Sequence, residues 1–263
     1  MNQNQIMFSF QSLLSKTQVA STIDFGDLFN ESVTLFKKVW VQGLILQLFS
    51  ILIMLPFIII FYVPYFELAL ENSSNGVIDS AVLGQELIDA YGSSLLWIYL
   101  LMLLASLVSH VLYLGFYRIV KQLDHGQAFV FSDLFYFFKA ASIGKALGLA
   151  ATYFFISILA VLLCFLPIIY AIVPLMFLLP VFTYNPDLSI SEIVKVSFAL
   201  GNKKWGITFL TLILNGILIY VIALVTFGLG TLFVSCFLHL PQYIIYKKVI
   251  GFDEPKEGVQ SID

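Results

Sequence analysis

The sequence predicts an all-α membrane protein with six transmembrane helices, organised as three tandem repeats of an interfacial amphipathic helix followed by a helical hairpin. Composition is the first reason: 60% of the 263 residues are hydrophobic and 11% are charged, whereas about 25% are charged in a typical soluble domain. Charge-free stretches of membrane-spanning length are the second reason, and a short motif that occurs three times is the third. A single soluble core is therefore excluded as the fold class.

Six spans follow from the length of the apolar stretches, because a helix needs about 20 apolar residues to cross a bilayer. The stretch from Leu147 to Tyr184 is long enough for two helices, with Pro167 and Pro174 offering a turn. A second long stretch, residues 206–246, also gives two helices, because it divides at Phe227-Gly-Leu-Gly230. Two further long stretches, residues 43–64 and 94–117, give one helix each and bring the total to six.

The distribution of lysine and arginine orients the chain. With the N-terminus inside and six spans, all 13 basic residues fall in cytoplasmic segments, whereas the expected outer loop 66–93 is acidic. We therefore expect a multi-pass membrane protein with both termini in the cytoplasm. The first span is expected to be an uncleaved anchor. The single membrane domain is expected at 23–248, between a tail at 1–22 and a tail at 249–263.

A short motif of apolar, small, acidic, apolar and apolar residues opens each predicted repeat. The repeats are predicted at about 23–118, 128–184 and 188–248, and the first and third copies stay in register as far as a tryptophan. The motif residues are Phe25 and Asp27, Phe131 and Asp133, and Ile190 and Glu192, and the tryptophans are Trp40 and Trp205.

Each motif is typical of a short amphipathic helix that lies ahead of its span. Such a helix can lie among lipid headgroups with Phe or Ile in the acyl chains, or it can pack on the loops of its own protein. Ser189 and Glu192 have the spacing of a capping box, whereas Val130 interrupts that cap in the middle copy.

Four polar residues inside predicted spans are candidate functional residues: His110, His239, Cys236 and Asn215. His110 and His239 each lie eight residues before a basic residue, so both are expected at a similar depth. A proton or solute pathway, a haem or metal site that includes Cys236, and ordinary buried histidines are the alternatives. Asn215 is expected to hydrogen-bond across a helix interface. No cofactor is expected.

No catalytic motif is present: the sequence lacks a nucleophile elbow, a zinc-protease motif, a phosphate-binding loop and a dinucleotide-binding fingerprint. We therefore predict a protein without a catalytic site. Because the net charge is −3, no nucleic acid is expected as a partner. The expected partners are the lipid bilayer and either a membrane protein or a second copy of the chain.

The run from Tyr184 to Trp205 resembles the cytoplasmic signature of a bacterial superfamily. This superfamily groups YciC-like inner-membrane proteins with the membrane domain of some glycerophosphodiester phosphodiesterases. Asn185, Pro186, Ser197 and Trp205 fit the signature, as do Gly201 and Asn202. The resemblance implies a six-span helical fold and a location in the bacterial cytoplasmic (inner) membrane, but no activity.

The leading functional hypothesis is a non-enzymatic membrane protein whose interfacial helices organise lipid or bind a partner. The alternative is a transporter of small solutes or ions with a pathway between the repeats, near His110, His239 and the prolines. A haem- or metal-binding membrane enzyme is the third hypothesis.

Overall fold

The computed structural model describes residues 3–74, 84–85, 88–89, 92–163 and 166–252, and in these ranges every regular element is helical. The α-helices are α1 Gln3–Gln18, α2 Phe25–Ser74, α3 Leu95–Asp124, α4 Ala140–Leu162, α5 Leu166–Met176, α6 Leu178–Tyr184, α7 Ile190–Lys203, α8 Trp205–Val225, α9 Thr231–Val234 and α10 Leu240–Val249. Three 3₁₀ helices cover Gly92–Ser94, Phe131–Phe138 and Ser235–His239.

Five helical stretches of the described chain are long and apolar enough to cross a membrane, which confirms the prediction of a helical membrane protein. They are Phe25–Ile60, Leu96–Asp124, Ala140–Leu162, Pro167–Tyr184 and Trp205–Val225. The sixth span stays a prediction, because residues 231–249 form α9, the Ser235–His239 helix and α10 instead of one long helix.

Large apolar side chains cover the outside of these helices. Phe155 is 68% exposed, Leu162 75% and Val225 74%. Soluble proteins rarely expose apolar patches of more than a few hundred Å². These side chains therefore face the hydrocarbon of a bilayer.

The first predicted span is much longer than expected. Helix α2 continues through residues 66–74, which the sequence pattern assigned to the outer acidic loop, because no proline or glycine interrupts the chain there. The rest of that loop lies mostly outside the described residues. Helix α2 also includes the first amphipathic motif, so Phe25 and Asp27 belong to the span helix and do not form a separate helix.

The other two motifs form separate elements with different geometries. In α7 the Ser189 hydroxyl accepts a hydrogen bond from the Glu192 backbone N–H, and the Glu192 carboxylate accepts one from the Ser189 N–H. Val130 has no side-chain acceptor, so only its N–H bonds to the Asp133 carboxylate, and the following residues form a 3₁₀ helix.

The fourth residue of each motif is buried: Leu28 and Ile193 are 0% exposed and Leu134 is 2% exposed. The motifs therefore pack on their own protein through this position. Phe131, the first residue of the middle motif, is 50% exposed. The repeat itself stays a prediction, because its three copies differ in local geometry.

Charged residues that follow or precede the spans are brought together at one end of the molecule. Ion pairs join Glu31 to Lys248 and Asp124 to Lys247, each at 2.6 Å. These contacts connect the start of α2, the end of α3 and the end of α10. The charged ends of the three helices therefore lie on the same side of the membrane, and the assignment of this side to the cytoplasm stays a prediction.

The N-terminal segment, expected as a tail, contains helix α1. This helix packs against α7, and it buries Leu13 and Thr17. The Lys204 ammonium group at the end of α7 donates a hydrogen bond to the Ser21 carbonyl oxygen. Burial lowers the pKa of Lys204 below its usual value, and neighbouring Lys203 lowers it further.

Candidate functional site

A cavity of about 240 Å³ lies between the helices and brings both intramembrane histidines together. Its lining comes from α3, α4, α5, α6, α8 and the Ser235–His239 helix, so each of the three predicted repeats contributes. The lining residues are His110, Tyr113, Tyr153, Ile172, Leu175, Met176, Leu179, Leu212 and His239.

Each histidine ring packs against a tyrosine ring. The His110 and Tyr153 ring centroids are 4.7 Å apart, and those of Tyr113 and His239 are 4.6 Å apart. His110 and Tyr113 lie on the same face of α3 because they are three residues apart. Helix α3 therefore supplies one ring of each pair, and α4 and the Ser235–His239 helix supply the other two.

The cavity contains hydrogen-bonding groups but no fixed charge. Its described lining has no aspartate, glutamate, lysine or arginine. The His110 Nε2 atom is buried and has no hydrogen-bond partner in the described chain. Since burying a polar group without a partner is unfavourable, this nitrogen keeps an unused hydrogen-bonding capacity in the wall of the cavity. The lining suits a small neutral molecule with a ring and a hydrogen-bonding group.

Local backbone geometry places His239 in this wall. Pro241 has no N–H and cannot donate the α-helical hydrogen bond to the Phe237 carbonyl, and residues 235–239 form a 3₁₀ helix. The Tyr117 hydroxyl of α3 donates to the His239 carbonyl oxygen at 3.1 Å. Helix α3 therefore holds both the ring and the backbone of His239.

Pro174 explains the position of Trp205. A proline inside a helix leaves the carbonyl four residues earlier without its helical partner. Here that carbonyl belongs to Tyr170, and it accepts a hydrogen bond from the Trp205 indole N–H at 3.1 Å. Gly201 also lies so close to Pro174 that an added Cβ would be 2.5 Å from the proline Cα. Residues Gly201 and Trp205 therefore pack against the proline-containing end of α5, next to the break between α5 and α6.

Cys236 and Asn215 do not line the cavity. A Cβ added at Gly43 would lie 2.2 Å from the Cys236 sulfur, so this cysteine fills a close contact between α2 and the Ser235–His239 helix. Asn215 is 1% exposed, and its side-chain oxygen has no hydrogen-bond partner among the described residues. In the described part of the chain, no three His, Cys, Asp or Glu residues form a group that could hold a metal ion.

The motif residues lie away from the cavity lining and make local contacts. Phe25 stacks on Phe29, Ile190 lies beside Gly148, and Trp40 packs against Phe233. Asp27 is exposed, and its N–H donates to the Asp24 carboxylate.

The motif carboxylates of Glu192 and Asp133 accept hydrogen bonds that lower their pKa values. Hydrogen bonds from the Ser189 side chain and backbone hold the pKa of Glu192 below its usual value. Partial burial raises the pKa of Asp133, but hydrogen bonds from Val130, Gln122 and Arg118 outweigh it and give a net lowering.

The other residues that line the histidine cavity were not predicted from the sequence. Tyr113 has a weak signal, since it lies three residues after His110 on a predicted helix. Tyr153 and Met176 have none, because each lies among other apolar residues in a long span.

The chain matches no family model, no curated protein and no solved structure. The resemblance of the run from Tyr184 to Trp205 to the YciC-like superfamily therefore stays a prediction.

Proposed function

We propose that this protein is a bacterial inner-membrane transporter that binds a small neutral solute in the cavity between His110 and His239. The observation that carries the proposal is a cavity that is shared by several helices and lined by both intramembrane histidines, each packed against a tyrosine ring. Transport binding sites commonly lie near the middle of the membrane beside interrupted helices. Here the interruptions are the turn after Pro174 in α5 and the 3₁₀ helix before Pro241.

The size and lining of the cavity define the solute class. A volume of about 240 Å³ lies just below the roughly 300–1,000 Å³ of typical ligand pockets, which favours a small molecule. Two histidine–tyrosine pairs favour an aromatic or heteroaromatic ring that stacks on them. Absence of fixed charge from the described lining favours a neutral solute.

Uptake of radiolabelled nicotinamide into proteoliposomes tests this proposal, because nicotinamide is a small neutral ring with a hydrogen-bonding amide. We expect faster uptake than in protein-free liposomes, and a loss of that difference in His110→Leu and His239→Leu. His125→Ala is the matched control, since His125 lies in an exposed loop after α3. Equal uptake by wild type and both leucine variants would contradict the proposal.

A second candidate function is lipid organisation or partner binding by the interfacial motifs. Exposure of Val130 (61%) and Phe131 (50%) beside the first residues of the Phe131–Phe138 helix favours it. The test is a Phe131→Trp variant in a background without native tryptophan, with brominated lipids as depth-dependent quenchers. We expect the strongest quenching from bromine near the headgroups, and deeper quenching in the Phe155→Trp control. Quenching of Phe131→Trp by aqueous acrylamide alone would contradict this function.

A further inference from the structure

A second cavity, separate from the histidine site, lies at the charged end of the molecule. It has a volume of about 270 Å³ and is formed by α2, the last residue of α3, and α10. Asn30, Thr34 and Lys38 face it from α2, at the i, i+4 and i+8 positions of one helix face. Lys247 of α10 faces it from the other side. An amide, a hydroxyl and two ammonium groups therefore converge on one space.

The acidic groups of this cavity are already engaged. Asp124 accepts hydrogen bonds from the Tyr243 hydroxyl at 2.7 Å and from the Lys247 ammonium at 2.6 Å. Glu31 forms an ion pair with Lys248 at 2.6 Å. Each of these carboxylates has a lysine partner, and neither forms an ion pair with Lys38 in the described chain.

Lys38 supplies the cation that remains. Its side chain is exposed at the cavity, and it makes none of the ion pairs found in the described chain. An ammonium group has three donors, so Lys247 also keeps hydrogen-bonding capacity after it binds Asp124. The arrangement is that of a binding site for an anion with several acceptor oxygens.

The surroundings of the cavity indicate the kind of anion. Trp40, two residues after Lys38, is 40% exposed, and tryptophans of membrane proteins are enriched at the level of the lipid headgroups. The cavity also lies beside the ion pairs that gather at this end of the helices. An anion-binding site at this level of the membrane is accessible both to phospholipid phosphates and to soluble phosphates. We propose that Lys38 and Lys247 bind a phosphate group in this cavity.

The experiment has two arms, because a lipid headgroup and a soluble phosphate share this chemistry. In the first arm, native mass spectrometry counts phosphatidylglycerol retained by purified protein. In the second arm, titration calorimetry measures binding of inorganic phosphate to delipidated protein in neutral detergent. The variants are Lys38→Gln and Lys247→Gln, and Lys37→Gln is the matched control, because Lys37 is an exposed neighbour that does not line the cavity.

We expect Lys38→Gln and Lys247→Gln to weaken binding about tenfold in at least one arm, as removal of a charged hydrogen bond does. Loss in the lipid arm identifies a headgroup phosphate, and loss in the calorimetry arm alone identifies a soluble phosphate. Thermal unfolding checks that each variant is folded, and exposed Lys38 can be replaced without disturbing the packing. Binding by folded Lys38→Gln that equals binding by Lys37→Gln in both arms would overturn the proposal.

Discussion

The imidazole ring of His239 packs against the phenol ring of Tyr113, with 4.6 Å between the ring centroids. The contact joins the 3₁₀ helix Ser235–His239 to α3, although the two residues are far apart in the sequence. His239 and His110, which belong to separate helices, line the same cavity. The proposed solute site requires this packing of α3 against the Ser235–His239 helix.

Close contact between Gly43 of α2 and Cys236 of the Ser235–His239 helix gives the first prediction. Gly43→Ala would place a methyl group 2.2 Å from the Cys236 sulfur. We expect the variant to lose about 1–3 kcal/mol of stability through overpacking. Thermal unfolding in detergent measures the loss, with Gly216→Ala as the control because a Cβ there meets nothing within 4 Å.

Compared with Cys236→Gly alone, the double variant Gly43→Ala with Cys236→Gly should show little further loss, since Cys236→Gly removes both the sulfur and the Cβ that lies 2.5 Å from the new methyl group. If Gly43→Ala were as stable as Gly216→Ala, or if Gly43→Ala cost as much stability in the Cys236→Gly background as in the wild type, the close contact would be wrong.

Trp205 should stabilise the helix break at Pro174. In Trp205→Phe the Tyr170 carbonyl loses its donor, and we expect a loss of about 0.5–1.5 kcal/mol. Adding Pro174→Ala supplies a backbone N–H four residues after Tyr170, so the effect of Trp205→Phe should shrink in that background. A double-mutant cycle of unfolding free energies measures this coupling, and purely additive effects would argue against it.

The cap of α7 predicts a dependence of stability on acid. Glu192 accepts hydrogen bonds from Ser189, and they lower its pKa from the usual 4.5. The cap contributes fully above that value, and its contribution disappears as the pH falls through the lowered pKa. Glu192→Ala should therefore be less stable at pH 7 by at most about 1 kcal/mol, since the carboxylate is exposed.

Melting temperatures between pH 3 and pH 7 test this prediction. The difference between wild type and Glu192→Ala should shrink as the pH falls, whereas Glu67→Ala should follow the wild type throughout. A difference that stayed constant down to pH 3 would exclude the capping carboxylate as its cause.

Orientation of the chain is open to a labelling test in a cysteine-free background. Gly84→Cys lies in the predicted outer loop and Gln127→Cys follows α3 at the predicted cytoplasmic side. A membrane-impermeant thiol reagent should label Gly84→Cys in intact cells and Gln127→Cys only after lysis. The reverse pattern would invert the proposed topology.

Sequence alone was sufficient for the helical membrane fold, because hydrophobic stretches of spanning length have few other solutions. It was insufficient for the boundaries of the helices. Residues 66–74 are acidic enough to indicate a loop, yet they continue α2, since charge does not end a helix without a breaking residue. The motif at Phe131 forms a 3₁₀ helix, and Val130 at its start has no side chain that can cap it.

The candidate site was predicted in part. His110 and His239 were identified from the scarcity of ionisable residues in spans, but their shared cavity depends on tertiary packing that no local pattern encodes. Cys236 has the spacing of a third ligand beside His239, yet close packing against Gly43 accounts for its position.

Binding of radiolabelled nicotinamide, measured by equilibrium dialysis of the protein in lipid nanodiscs, tests the cavity most directly. Leu212→Phe narrows the cavity without changing either histidine, and Leu214→Phe adds the same volume on the exposed side of α8. We predict roughly tenfold weaker binding in Leu212→Phe, because a small misfit in an apolar pocket costs about 1–3 kcal/mol of binding free energy, and wild-type binding in Leu214→Phe. Wild-type affinity in folded Leu212→Phe would contradict a solute site between His110 and His239.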